Sequence, residues 1–265
     1  MKKHLIIGNP ISHTLSPKLH NYWFGKNKIN GKYDKVLLKE NEIEPLIKKI
    51  KTKELHGMNV TVPYKQTVIP HLESLSETAK ITNSVNTIFN KDGKIHGDNT
   101  DIYGFEKSLL NKKIKFKNKE AFIFGAGGVV PSIILALCKL KVKKIYVSNR
   151  TLNNADLIKE KFDFIKVIEW GKIIDCDLFI NSTSIGLKDG ESLDLSFDNL
   201  KGKKFFYDVI YNPPKTSFLL NAEKKGHEII NGRDMFLYQA QKAFNLWHNM
   251  TPKIDKKLIR YLYND

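Results

Sequence analysis

The sequence predicts an α/β fold with largely parallel sheets, arranged as two successive domains, on three observations. Short apolar runs alternate with longer helical patterns along the whole chain, as strand–helix–strand units require. A charged stretch from Lys112 to Glu120 separates a first set of elements from a second. The second set opens on an apolar run, Ala121 to Phe124, that leads directly into Gly125-Ala126-Gly127-Gly128 and then into a helical pattern.

Taken in order, Leu5 to Gly8 reads as a strand. Ser16-Pro17 opens a helix, with serine as N-cap and proline at the first helical position. Tyr33 to Leu38 is a second strand, Glu42 to Lys51 a helix, and Gly57 to Thr61 a third strand running into Val62-Pro63. Asn86 to Phe89 and Ile95 to Gly97 are short strands around Lys91-Asp92-Gly93, an Asp-Gly hairpin signal. Asn99-Thr100-Asp101 begins another helix. Beyond the charged boundary, Ala121 to Phe124 is a buried strand, followed by a helix over about 130–140 and a strand at Lys144 to Ser148 that ends in Asn149-Arg150-Thr151. Further strands are expected at Phe164–Ile168, Leu178–Asn181, Phe205–Val209 and Glu228–Ile230. A last helix, Met235 to His248, carries Phe236, Ala240, Ala243, Phe244 and Trp247 at helical spacing.

The 265 residues suit one large or two modest domains. With 41% hydrophobic and 27% charged residues the chain can build a core, and the composition argues against disorder. The net charge of +16 raises the question of nucleic acid. Of 44 basic residues, however, only Arg150, Arg233 and Arg260 are arginine, and aromatic and basic residues do not interleave. The charge reads first as a solvated lysine-rich surface, then as steering of an anionic substrate, and only then as a nucleic-acid footprint. Cys138 and Cys176 suggest neither a disulfide framework nor a metal knuckle, which points to a reduced, cytoplasmic setting. The apolar run after Met1 is too short for a signal peptide, and no stretch approaches the roughly 20 residues of a membrane span. The eight histidines show no ligand spacing, so no metal is expected.

The strand-to-glycine-to-helix unit is the most readable chemical feature. Glycines there let a pyrophosphate approach the backbone, and the helix N-terminus offers free N–H groups to it. The full fingerprint is G-x-G-x-x-G, and Val130 stands at its third glycine position. An ordinary tight turn is the other reading. At the end of the next strand, NAD-specific sites place an acid for the ribose 2′-hydroxyl. Here the segment is Ser148-Asn149-Arg150-Thr151, with no acid. Arg150 reads as a partner for a 2′-phosphate, hence NADP, or else as a surface cation.

Together the motifs resemble the shikimate dehydrogenase family. They are Gly8-Asn9-Pro10-Ile11-Ser12-His13-Thr14-Leu15-Ser16-Pro17, Asn59-Val60-Thr61-Val62-Pro63-Tyr64-Lys65, Asn86-Thr87 and Gly97-Asp98-Asn99-Thr100-Asp101-Ile102-Tyr103-Gly104. They continue as Gly125-Ala126-Gly127-Gly128, Asn149-Arg150-Thr151, Asn181-Ser182-Thr183-Ser184, Tyr207 to Pro213, and Gly232-Arg233-Asp234-Met235 leading to Gln239. They span nearly the whole chain in the family's order. The resemblance implies a substrate-binding α/β domain over 1–111, a Rossmann-like NADP-binding domain over 112–232, and C-terminal helices over 233–265 that return to the first domain. It implies an NADP-dependent enzyme of the shikimate pathway that exchanges shikimate and 3-dehydroshikimate, as a monomer or homodimer, with no nucleic-acid or membrane partner.

The resemblance also implies roles for single residues. Lys65 becomes the acid/base and Asp101 its partner, with helix capping as the alternative for Asp101. Thr14 and Ser16 become the carboxylate-binding hydroxyls, Thr14 standing where many members have serine. Thr61, Asn86 and Gln239 become ligands of the ring hydroxyls, and Tyr211 a further residue near the carboxylate. Val129 joins the glycine turn, and Thr183, Val209, Gly232 and Met235 line the nicotinamide end, although Val209 and Met235 read equally as core. Two rivals stand beside this reading: a quinate/shikimate dehydrogenase with relaxed substrate and cofactor use, and a Rossmann dehydrogenase acting on a folate carrier. A basic nucleic-acid-binding module is the distant third.

Overall fold

Alternating side chains on the first strand already divide the first half of the protein into two packed faces. β1 (Lys2–Ile7) turns Leu5 and Ile7 to one side of its sheet, and His4 and Ile6 to the other. The computed structural model describes residues 1–188 and 190–263. The chain divides into two units, Met1–Gly104 with Leu237–Asp265, and Phe105–Phe236.

The first unit is a six-stranded mixed sheet. β2 (Gly31–Val36), β1, β3 (Gly57–Val60), β5 (Thr87–Lys91), β6 (Lys94–Asp98) and β4 (Ser74–Leu75) lie side by side in that order. β1 runs parallel to β2 and β3, and the β5–β6 hairpin runs antiparallel beside β3. Asp92 and Gly93 both take positive φ in its turn, as the Asp-Gly signal requires. One face packs against α2 (Ile43–Lys51), whose Ile43, Ile47 and Ile50 fall on a single stripe against Leu5, Ile7, Met58 and Ile88. The other side gathers rings. His4 lies 4.8 Å from Trp247, and His20 of α1 (Ser16–Lys26) stacks on Tyr33 at 4.4 Å. Trp247 belongs to α8 (Arg233–His248), so the chain's last long helix serves the first sheet. A Cβ on Gly57 would lie 2.4 Å from Trp247 Nε1, which is why that strand begins with glycine. The final helix, α9 (Lys256–Tyr263), is fastened to α1 by a bond from Lys18 Nζ to the Leu262 carbonyl.

The second unit is a wholly parallel sheet in the order β12 (Glu228–Ile230), β11 (Phe205–Asp208), β10 (Leu178–Asn181), β7 (Glu120–Phe124), β8 (Lys144–Ser148) and β9 (Lys166–Val167). The chain starts at β7, builds outward to β9, then returns to β10 and builds the other way. This is the doubly wound order, and its switch point lies between β7 and β10. α5 (Val130–Lys139), α6 (Leu152–Lys161) and α7 (Ser217–Lys224) make connections on its faces, and Phe122, Phe124, Phe179, Phe206 and Phe218 fill the core. The fold is therefore α/β, with a Rossmann-like second sheet.

Several details differ from the sequence reading. Ser16 is the first residue of α1, not its cap: Leu15 holds the cap position, and Thr14 Oγ1 accepts the Ser16 N–H at 3.3 Å. α8 starts at Arg233, two residues before the expected Met235. The strand expected at Phe164–Ile168 shrinks to β9, because it is a sheet edge paired through two residues and Phe164 lies exposed. α3 (Glu77–Thr82) and β4, which the sequence reading did not anticipate, fill the interval before β5. The division of the chain falls within α4 (Asp101–Asn111) and α8 rather than at the charged stretch.

Candidate active site

In the first unit, the turn after β3 carries Lys65 and the first residue of α4 is Asp101. Lys65 Nζ donates to Asp101 Oδ2 at 2.5 Å, with the two side chains only 11% and 9% exposed. A pair so far removed from water is costly unless further hydrogen bonds complete it. Asn86 supplies one, donating from Nδ2 to Asp101 Oδ1 at 2.8 Å. Asn86 is itself held, since its Oδ1 accepts the Thr100 N–H at 2.8 Å. Asn99 Oδ1 accepts the Asp101 N–H, which leaves the Asp101 carboxylate to Lys65 and Asn86. The start of α4 also places positive helix-dipole potential at that carboxylate. The result is a rigid amine–carboxylate couple with a fixed amide, a suitable device for moving a proton to and from a hydroxyl.

A second polar group lies at the start of α1. Thr14 Oγ1 donates to Ser16 Oγ at 3.1 Å, and nearby the buried Tyr33 phenol donates to Asn59 Oδ1 at 2.7 Å. Burial drives that phenol's pKa well above its ordinary value. Thr61 follows β3 with its N–H on the Ile7 carbonyl at 2.9 Å. Gln239 sits half-buried on α8 in the same unit.

In the second unit, the carboxyl ends of parallel strands gather the other expected residues. Gly125 follows β7 at φ +105, and a Cβ there would lie 2.8 Å from Ser182 Oγ and 3.0 Å from Thr183 Cγ2 at the end of β10. Both the φ and the crowding demand glycine. At Gly127 and Gly128 an added Cβ meets nothing within 4 Å, so the turn is open above its backbone. Ala126 and Val129 flank them, and α5 begins at Val130 without a side-chain cap. Arg150 lies exposed beyond the neighbouring β8, beside Asn149, whose Nδ2 donates to the Thr151 carbonyl at 2.8 Å. Open glycines and an arginine with no acid in its segment fit the pyrophosphate and 2′-phosphate of NADP, although the first N–H groups of α5 already bond backbone carbonyls and Pro131 has none.

Beneath the strand ends runs a buried network that the sequence reading did not anticipate. Asn181 Oδ1 accepts both the N–H and the hydroxyl of Thr183. Its Nδ2 donates to Asp208 Oδ2 at 3.0 Å, and Asp208 also accepts from Thr216 Oγ1 and the Ile210 N–H. Burial raises the Asp208 carboxyl to about 6 against those three donors. The network holds Thr183 beside Val209, whose N–H bonds the Asn181 carbonyl. A Cβ on Gly232 would fall 2.0 Å from the Val209 carbonyl oxygen. Met235 is buried, and Tyr211 stacks on Phe236 at 4.5 Å, all within the second unit. Among the described residues, no three His, Cys, Asp or Glu side chains are grouped to hold a metal, and no helix is long and apolar enough to cross a membrane.

A doubly wound parallel sheet with an open glycine turn, together with a polar unit built on a buried lysine–carboxylate couple, defines a nicotinamide-dependent oxidoreductase. Comparison with known proteins sharpens this. Residues 6–88 match the family pattern described as the shikimate dehydrogenase substrate binding domain, and 108–186 match that described as shikimate / quinate 5-dehydrogenase. The chain is 54% identical to the shikimate dehydrogenase (NADP(+)) of Pelagibacter ubique across 98% of both chains, and 38% identical to that of Caldanaerobacter subterraneus across 91% of this chain and 90% of that one. Its structure resembles the shikimate 5-dehydrogenase of Listeria monocytogenes, solved with shikimate and NAD, at TM-score 0.91 and 30% identity, covering 99% of this chain and 96% of that one. It also resembles the Thermus thermophilus enzyme, solved with NADP(H) and shikimate, at TM-score 0.90 and 28% identity, covering 100% and 99%. The chain belongs to the shikimate dehydrogenase family.

Proposed function

We propose that the chain interconverts shikimate and 3-dehydroshikimate with NADP, moving a hydride at C3, as a step toward chorismate and the aromatic amino acids. The observation that carries this reading is the Lys65–Asp101 couple, buried, closed at 2.5 Å and completed by Asn86. Oxidation of a secondary alcohol sheds a proton and a hydride. Lys65 Nζ takes the hydroxyl proton, and in reduction returns it to the developing alkoxide. Asp101 orients the amine and accepts from a substrate hydroxyl. Thr61, Asn86 and Gln239 bond the ring hydroxyls, while Thr14, Ser16 and Tyr211 take the carboxylate end. Short polar side chains on fixed backbone reject a wrong polyol by leaving buried groups unpaired.

NADP, when bound, supplies the hydride acceptor. Gly125, Ala126, Gly127, Gly128 and Val129 hold its pyrophosphate, Asn149, Arg150 and Thr151 its 2′-phosphate end, and Thr183, Val209, Gly232 and Met235 its nicotinamide end. Residues 1–104 with 237–265 form the substrate part, and 105–236 the cofactor part. The protein acts in the cytoplasm, as a monomer or homodimer, without nucleic acid.

The test is NADPH absorbance with purified protein, offering shikimate and quinate each with NADP⁺ and NAD⁺, beside Lys65→Ala. Shikimate with NADP⁺ is expected to dominate, and the variant to lose about 10²–10⁴ in kcat while keeping its far-ultraviolet dichroism. Equal rates with quinate or NAD⁺ would make the relaxed relative the better description. No turnover at all would mean a retained fold without its chemistry.

A further inference from the structure

The carboxyl ends of β10 and β11 meet at a buried carboxylate. Asp208 accepts from three donors: Asn181 Nδ2 at 3.0 Å, Thr216 Oγ1 at 2.6 Å and the Ile210 N–H at 2.9 Å. Asn181 Nδ2 also donates to the Ile185 carbonyl at 3.1 Å. With its pKa at about 6, Asp208 is ionised at neutral pH, and a carboxylate, like a carbonyl, can only accept. These two partners fix which way the Asn181 amide faces, and its Oδ1 is turned to Thr183. That oxygen accepts the Thr183 N–H at 3.0 Å and the Thr183 hydroxyl at 2.7 Å.

The consequence is a hydroxyl of fixed polarity. Thr183 Oγ1 carries a single proton, and Asn181 takes it. One of its lone pairs receives the Ile185 N–H at 3.1 Å. The other is unused among the described residues, so Thr183 can offer a ligand an acceptor but no donor. Thr183 is half-buried and lies against the glycine turn, since a Cβ on Gly125 would come within 3.0 Å of its Cγ2. This is the switch point between β7 and β10, where doubly wound sheets bind their ligands. A pyrophosphate has only acceptors to set against such a group. The nicotinamide nucleoside brings donors, a carboxamide N–H and ribose hydroxyls.

We propose that Asp208 is a positioning residue for the cofactor: through Asn181 it holds Thr183 as the acceptor for a donor on the nicotinamide nucleoside of NADP. The proposal rests on the cofactor reading given above. A hydrogen bond at Thr183 restricts how the nicotinamide half can turn, and hydride transfer needs one orientation of it. An amide in place of Asp208 keeps the shape and breaks the polarity. With its oxygen toward Asn181 and Thr216, its nitrogen would oppose the Ile210 N–H; turned over, it would oppose Asn181 Nδ2.

The test is calorimetric titration of the full chain with NADP⁺ and with adenosine 2′-phosphate 5′-diphosphate, which lacks the nicotinamide nucleoside. Thr183→Val is expected to weaken NADP⁺ binding about three- to tenfold, the worth of one hydrogen bond, and to leave the shorter probe unaffected. Thr183→Ser keeps the hydroxyl and should restore the affinity. Asp208→Asn should show the same selective loss, and should cost clearly less in the Thr183→Val background than in the wild type. Asn181→Leu removes the amide between them and carries the test if Asp208→Asn fails to fold. The acetylpyridine analogue of NADP⁺ lacks the carboxamide N–H. A Thr183→Val loss that vanishes with this analogue assigns the donor to the carboxamide, and one that persists assigns it to the ribose. Equal losses with both probes, no loss in Thr183→Val, or costs of Asp208→Asn that add to those of Thr183→Val overturn the proposal alone. A wild type that binds neither probe removes the cofactor reading with it.

Discussion

Arg150 stands just beyond β8 with its guanidinium exposed, and the Ser148–Thr151 segment offers no carboxylate to repel a phosphate. A charge-assisted bond from arginine to phosphate is worth about 1.5–3 kcal/mol. Arg150→Ala should therefore raise the KM for NADP⁺ by roughly 10- to 100-fold and leave that for NAD⁺ nearly unchanged. Steady-state titration of each cofactor checks this, and an equal loss with NAD⁺ would refute a 2′-phosphate role. Arg150 stood out as a candidate from local sequence, at a strand end without an acid, whereas Lys65 stood out only through the resemblance that Asn-Val-Thr-Val-Pro-Tyr-Lys carries. Tyr33 and Asp208 did not stand out. Tyr33 meets Asn59 across 26 residues, and Asp208 meets Asn181 across 27. An aromatic in an expected strand reads as core filler until the fold brings a buried amide to its hydroxyl.

At the scale of elements, two glycines separate folding from binding. At Gly232 an added Cβ would strike the Val209 carbonyl oxygen at 2.0 Å, and backbone on that side is tied down by the Val209 N–H bond to Asn181. Gly232→Ala should cost about 1–3 kcal/mol of stability, as overpacking does, read from the urea midpoint. Gly127 opens on free space, so Gly127→Ala should change stability by no more than about 0.5 kcal/mol. It should nonetheless weaken NADP⁺ binding, because the methyl occupies the surface a pyrophosphate approaches; calorimetric titration of the cofactor reads that loss. Strands flanked by glycine turns or polar breaks were the legible elements: β8, β10 and β12 fall where the sequence puts them. The misses were short. β4 has two residues and α3 six, too few to show a period, although the Ser76 cap bonding the Ala79 N–H is a readable start signal.

At the scale of the whole molecule, a boundary inside a helix leaves no mark in composition, which is why the charged stretch attracted the reading while the chain divides within α4 and α8. The two units also carry buried groups of opposite titration sense. In the first, burial foremost, then neighbouring histidines, hold His4 at about 2 and His20 at about 3, against 6.5 when exposed. Their ring nitrogens have no hydrogen-bond partner among the described residues. The folded unit thus binds fewer protons than the unfolded one. Its stability is full above about pH 6.5 and falls as pH drops, by about 1.4 kcal/mol per histidine per pH unit. Asp208 works the other way in the second unit. Burial raises it from 3.8 to about 6, so the stability it contributes is full below about pH 4 and is lost as pH rises through 6. Acid should therefore open the first unit before the second. Trp23 and Trp247 lie in the first and Trp170 in the second, so tryptophan fluorescence weights the first unit and far-ultraviolet dichroism reports both. On titration from pH 7 to 4 the fluorescence change should precede the main loss of ellipticity, and His4→Phe should move it to lower pH. Coincident transitions, or a first transition indifferent to His4→Phe, would show that these histidines do not set the acid limit of the fold.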